Sequence, residues 1–115
     1  MTEIFTIISC FYFFGPGTAV PNHCSPDLYD SAFQSMEACE KKRKESFVYD
    51  DKRIPPAKGS IMDTPGADVW NICVPKAEFE RHLRRDKFGN VFCLAAEKEP
   101  DDPRKLDVKE LCEAN

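Results

Sequence analysis

The 115-residue chain holds one Trp, two His and five Gly, and each scarcity removes a class of function. His23 and His82 are too few for a histidine-rich metal centre, which needs several convergent ligands. No Cys-x-x-Cys occurs, so structural zinc and thioredoxin-type redox chemistry lack their usual ligand spacing. No glycine-rich phosphate loop and no Gly-x-Ser-x-Gly elbow is present. The main apolar run, Ile4 to Phe14, would span only about 17 Å as a helix, against a hydrocarbon core of roughly 30 Å. No membrane span is expected. Lys and Arg are absent before Lys41. Met1-Thr2-Glu3 therefore lacks the basic start of a secretory leader, although Gly17-Thr18-Ala19 offers a small-residue cleavage site. Cleavage there would remove Cys10 and leave an odd number of cysteines, so the reading favours an uncleaved segment.

Charge is present but unevenly placed. The total is −4, with −5 over residues 1–40, twelve basic against eight acidic residues over 41–87 (+4), and four against seven over 88–115 (−3). A basic middle between acidic ends argues against a dedicated nucleic-acid binder, whose surface is strongly basic. An apolar fraction of 42% and a charged fraction of 31% fit a globular chain of this length, read as one domain over residues 1–115.

The residues from Ile4 to Phe14 are mostly β-branched or aromatic, types that suit a pleated surface. Alternation puts Phe5, Ile7, Ser9, Phe11 and Phe13 on one face and Ile4, Thr6, Ile8, Cys10, Tyr12 and Phe14 on the other. Both faces are apolar, which predicts a central strand covered on both sides. Gly15-Pro16-Gly17 then breaks the chain, and residues 15–26 read as a loop. Ser35 is placed to cap a helix over 35–46, with Met36 and Cys39 turned inward and Lys41-Lys42-Arg43-Lys44 in its last turns, where cations suit the helix dipole. Phe47-Val48-Tyr49 suggests a short edge strand over 46–50. Residues 51–67 form a long Pro/Gly loop, with Ile54, Ile61 and Met62 available to tuck it down and Thr64-Pro65-Gly66-Ala67 fitting a type II turn. Strands follow at 68–74 and 90–95, separated by a helix over 76–87 that Gly89 would stop. Residues 97–105 read as a charged linker to a short C-terminal helix.

These elements predict an α+β fold: a mainly antiparallel sheet of three or four strands, helices 35–46 and 76–87 on one face, and the terminal helix closing an edge. Six cysteines allow fifteen pairings. Cys39 on a helix over Cys73 on a strand is the pair whose geometry suggests a disulfide, worth about 4 kcal/mol in the chain-entropy model. Reduced core thiols are the alternative, and the compartment stays open, with the cytoplasm ahead of export.

Candidate chemistry is sparse. His23 adjoins Cys24, but sequence neighbours seldom point at one another. A Cys–His pair joining Cys24 or Cys73 to His82 is the one hydrolase or metal-binding reading. No cofactor is implied. The residue types around Phe33-x-Ser35-x-x-x-Cys39-Glu40 and Cys73-x-Pro75 resemble those of small proteins of bacteria and their phages, a resemblance that implies no activity. The expectation is a non-enzymatic protein that binds another protein, in the manner of a phage or mobile-element accessory or inhibitory factor. Tyr29, Tyr49, Ile61, Met62, Asp101 and Asp102 are its candidate contacts. An exported, disulfide-stapled structural or envelope protein is the alternative.

Overall fold

The apolar run becomes strand β1, Phe5–Phe14, in the computed structural model, which describes residues 3–15, 20–26, 31–46, 52–59 and 64–112. The elements that follow are β2 (His23–Pro26), α1 (Met36–Ser46), β3 (Lys52–Ile54), β4 (Gly66–Pro75), α2 (Lys76–Arg81), β5 (Arg84–Arg85), β6 (Val91–Leu94), a 3-10 turn (Pro103–Lys105) and α3 (Val108–Leu111). The strands form one six-stranded sheet in the order β3-β4-β1-β2-β6-β5, and every pairing is antiparallel. The α+β class stands, with more strands than the three or four expected.

The extra strands were hidden for a physical reason. β2 is His-Cys-Ser-Pro and β5 is Arg-Arg, and neither carries β-branched or aromatic residues. They are extended because neighbouring strands supply ladder partners, a tertiary effect that overrides propensity. β3, Lys-Arg-Ile, lies inside the expected 51–67 loop and pairs with Ala67–Val69 of β4. Both sheet edges are thus short and basic, features that discourage edge-to-edge pairing. The strand expected over 46–50 is not seen at Ser46, which ends α1; its other residues lie outside the described ones.

The two faces of β1 have different fates. On one face, Thr6, Ile8, Cys10 and Tyr12 are all buried. Ile8, Cys10 and Tyr12 pack with Cys24, Ile72, Val74 and Cys93 under Phe79 of α2 and Val108, Leu111 and Cys112 of α3. This is the main core. On the other face only Ile7 of β1 is buried. It sits with Cys39 of α1 and Cys73 of β4, flanked by Phe5 and Phe33. The expectation that helices 35–46 and 76–87 share a face is therefore corrected. Cys73 and Val74 are consecutive on β4 and point opposite ways, so α1, bonded to Cys73, and α2, packed on Val74, lie on opposite sides. α3 lies on the α2 face instead of closing an edge.

The six cysteines form three pairs at bonding distance: Cys10–Cys24, Cys39–Cys73 and Cys93–Cys112. No described cysteine is free. The loops they close are consecutive and do not overlap.

Local chemistry sets the element ends. The Ser35 hydroxyl accepts from the Ala38 amide at 3.1 Å, capping α1. Met36, expected inward, is 39% exposed. Arg43, in the last turns of α1 as expected, is buried and donates to Glu40 through Nε at 2.9 Å and Nη2 at 2.7 Å. α2 stops at His82, short of residue 87, and Gly89 (φ 84°) serves the β5–β6 turn. That turn is built by Asp86, whose carboxylate accepts from the Phe88 and Asn90 amides and the Asn90 side chain. A Asp107/Glu110 capping box starts α3. Residues 97–105 contain the 3-10 turn, and Pro103 within it is buried.

Gly66 corrects the type II turn. That turn needs a positive φ at the glycine, and Gly66 instead opens β4, outside the positive-φ positions Gly15, Gly59 and Gly89. It is opposite Phe14 in the β1–β4 register. A Cβ there would lie 2.6 Å from two Phe14 ring carbons and 2.7 Å from the Ile54 carbonyl oxygen. The ring covers the glycine, and the Arg53 guanidinium lies 4.4 Å from the ring centroid. Ile54, expected to tuck the loop down, is 46% exposed. Gly66→Ala is expected to lower stability by about 1–3 kcal/mol through overpacking, read as a lower denaturant midpoint with an unchanged slope.

Candidate functional site

α1 covers only one end of its sheet face. Beyond it, β1 carries Phe11 and Phe13, β2 carries His23 in register with Phe11, and β6 carries Phe92 two residues from the partner of His23. All four side chains are half-buried. Phe11 and His23 lie 5.2 Å apart between ring centroids, Phe13 and His23 5.7 Å, Phe11 and Phe13 6.3 Å, and His23 meets Phe92 edge-on at 6.1 Å. These are aromatic contact distances, so the rings form one continuous surface across three adjacent strands.

Asn22 sets this surface. Its Oδ1 accepts from the Phe13 amide at 2.8 Å, and its Nδ2 donates to the Ala96 and Glu97 carbonyls at 3.0 and 3.1 Å. One side chain thereby ties β1 to the segment after β6 and fixes the entry to β2. The His23 Nδ1–H donates to the Pro21 carbonyl at 3.0 Å, which fixes the orientation of the imidazole.

Beside the rings runs a groove of about 410 Å³ lined by Val20, Pro21, His23, Ser25, Asp86 and Phe92 among others. Ser, His and Asp share it, but they do not form a catalytic relay. The Asp86 oxygens are committed to their own turn, where the Asn90 side chain, with the amides of Asn90, Phe88 and Gly89, holds the carboxyl below its ordinary value. The His23 Nδ1 is committed to Pro21. A relay needs those atoms to face each other. The Cys–His alternative fails on the same kind of ground: Cys24 is bonded to Cys10 and Cys73 to Cys39, and a disulfide sulfur is not a thiolate nucleophile. Among the described residues no cluster of three or more His, Cys, Asp or Glu is placed to hold a metal ion, and no helix is long and apolar enough to cross a membrane.

A polar cluster occupies the far end of the core face. Arg53 Nη2 meets Asp68 Oδ2 at 2.9 Å. Trp70 Nε1 donates to Glu99 Oε1 at 2.8 Å, and the Arg104 guanidinium lies 5.2 Å from the Trp70 ring centroid. Burial first, then the nearby Asp68 carboxyl, push the Glu99 carboxyl above its ordinary value. The Trp70 contacts with Glu99 and Arg104 seat the 97–105 segment on β4, and the Arg53–Asp68 pair joins β3 to β4.

Two of the six sequence-predicted contacts, Asp101 and Asp102, lie among the described residues. Tyr29, Tyr49, Ile61 and Met62 lie outside the described residues. Asp101 is exposed. Asp102 caps the 3-10 turn, accepting from the Arg104 amide at 3.1 Å and Arg104 Nε at 3.3 Å. Phe88 was missed, and at 79% exposure it is the most exposed of the large apolar residues described. An aromatic inside the turn-forming string Asp86-Lys87-Phe88-Gly89-Asn90 was the available signal. Compared with known protein families, curated proteins and solved structures, the chain matches none.

Proposed function

We propose that the protein is a non-enzymatic, disulfide-stapled binding protein of an oxidising compartment, and that it engages a partner protein through the open half of its α1 face. The observation that carries this reading is the ring surface of Phe11, Phe13, His23 and Phe92, with Phe88 exposed in the turn that lines the same groove. Accessible aromatic clusters of this kind supply most of the energy at protein interfaces. The three cysteine pairs support the compartment, because such bonds persist where the surroundings are oxidising. An accessory or inhibitory factor, as phages encode, is the narrower form of the same reading.

Charge supplies the chemistry of the partner. Arg84 is in register with Phe92 and so stands on the ring face, and Lys87 lies in the adjoining turn against Phe88. Neither joins an ion pair among the described residues. A partner surface that is apolar at its centre and acidic on one side complements this arrangement.

The test compares immobilised wild-type protein with Phe88→Ser/Phe92→Ser on the extracellular fraction of its natural source. A protein retained by the wild type and lost about tenfold or more by the variant is expected, with the circular dichroism unchanged. Equal retention overturns the ring surface as the contact. Thiol titration of the denatured, unreduced protein should find close to none; six titrating thiols would overturn the compartment. An exported structural or envelope protein is the second reading, favoured by the same cysteine pairs. It is selected if thiols are absent and no partner is retained.

A further inference from the structure

Three cysteines stand in a row across the core face of the sheet. Cys10 on β1 is directly opposite Cys24 on β2, and Cys24 is directly opposite Cys93 on β6. Directly opposed residues put their side chains on the same face, with Cα atoms about 4.5–5.5 Å apart. Cys10 and Cys24 are 4.0 Å apart between Cα atoms, and a directly opposed pair such as Cys24 and Cys93 has a spacing that a disulfide can bridge. Cys24 therefore has two neighbours in register and is bonded to one, Cys10, while Cys93 is bonded out of the sheet to Cys112 at the end of α3. Cys10, Cys24 and Cys93 are fully buried and Cys112 nearly so.

We propose that this row is a disulfide relay that unlatches α3 while keeping the sheet cross-linked. The trigger is a small-molecule thiol. Its thiolate attacks Cys112 Sγ, forming a mixed disulfide with Cys112, and the Cys93 sulfur leaves as a thiolate. The Cys93 thiolate then attacks Cys24 Sγ. A Cys24–Cys93 bond forms, the Cys10–Cys24 bond breaks, and Cys10 leaves as a thiolate that takes up a proton. Two protein disulfides and one external thiol become one protein disulfide, one mixed disulfide and one thiol, with no net oxidation.

The order of the strands favours the second step. Exchange needs the attacking sulfur, the attacked sulfur and the leaving sulfur in line. β2 lies between β1 and β6, so Cys93 approaches Cys24 from the side opposite Cys10. Cys24, directly opposite in the ladder, is the neighbouring electrophile of the new thiolate. The outcome is a molecule whose C-terminal helix is no longer tethered to β6. β2 is now stapled to β6 instead of β1, and the Cys39–Cys73 bond on the opposite face is untouched. This device is independent of partner binding.

The relay is tested by disulfide mapping. Trypsin cannot separate Cys10 from Cys24, because Lys and Arg are absent before residue 41; chymotrypsin cuts at Phe11 to Phe14. In Cys112→Ser, Cys93 has no partner on α3. The expected map shows Cys24 joined to Cys93, with iodoacetamide on Cys10. Cys24 joined only to Cys10, with the label on Cys93, overturns the proposal. Should that variant fail to fold, wild-type protein is treated with less than one equivalent of reduced glutathione, acid-quenched and mapped. Glutathione on Cys112 with a free Cys10 supports the relay, and glutathione on Cys112 with a free Cys93 sinks it.

Discussion

Full reduction and alkylation of the three cysteine pairs is expected to unfold the protein at 25 °C. The pairs close loops with sequence separations of 14, 34 and 19. In the chain-entropy model these restrain the unfolded chain by about 3, 4 and 3 kcal/mol. The loops are consecutive along the chain and share no residues, so their restraints add to about 10 kcal/mol in that model. A domain of this size has a total stability of about 5–15 kcal/mol. Removing a share that large leaves little or nothing. The check is a near-ultraviolet dichroism spectrum and a thermal melt after dithiol treatment in mild denaturant, since the buried sulfurs need local opening to be reached. A cooperative melt within a few degrees of the oxidised protein would show that packing alone holds the fold. Removing only the longest link, with Cys39→Ala/Cys73→Ala, is expected to cost about 4 kcal/mol and to loosen α1 first, because that bond joins α1 to β4.

Phe79→Ala is expected to cost about 3–5 kcal/mol, the range for truncating a buried aromatic. Phe79 is 1% exposed and heads the fully buried side chains by volume. It is the one buried residue of α2 and packs onto a core that includes Ile8 and Val74. Its loss opens a cavity bounded by strands that cannot close on it, because Cys10–Cys24 and Cys93–Cys112 pin the same layer. The matched control is Phe88→Ala. That ring is 79% exposed, and its removal is expected to shift stability by no more than about 0.5 kcal/mol. Denaturant midpoints for the two variants check both values together. A small loss at Phe79 would mean that α2 does not close the core.

The contrast between these two phenylalanines shows where reading the chain reached its limit. Phe79 announces itself through helical spacing to Leu83 after a strand that ends at Pro75. Phe88 sits in a turn, where no periodicity marks it. Half of the ring surface is visible in the sequence: alternation puts Phe5, Ile7, Ser9, Phe11 and Phe13 on one face, and they do share it. That the far end of that face is open was not visible, because it depends on where an eleven-residue helix lands. His23 reads as a loop residue in the sequence, since four residues ending in proline carry no strand pattern of their own.

Local chemistry along the chain was enough to determine β1, the register of its two faces, the Ser35 cap of α1, the main strand ending at Pro75 and the terminal helix. Each of these rests on contacts within a few residues, or on alternation along one segment. The three-dimensional arrangement alone decided that α1 and α2 part to opposite sides. It also made strands of His23–Pro26 and Arg84–Arg85 and drew Cys10, Cys24 and Cys93 into one line. Those outcomes come from pairing between segments distant in the chain, where backbone hydrogen bonds and a shared buried layer outweigh the weak preferences of a few residues.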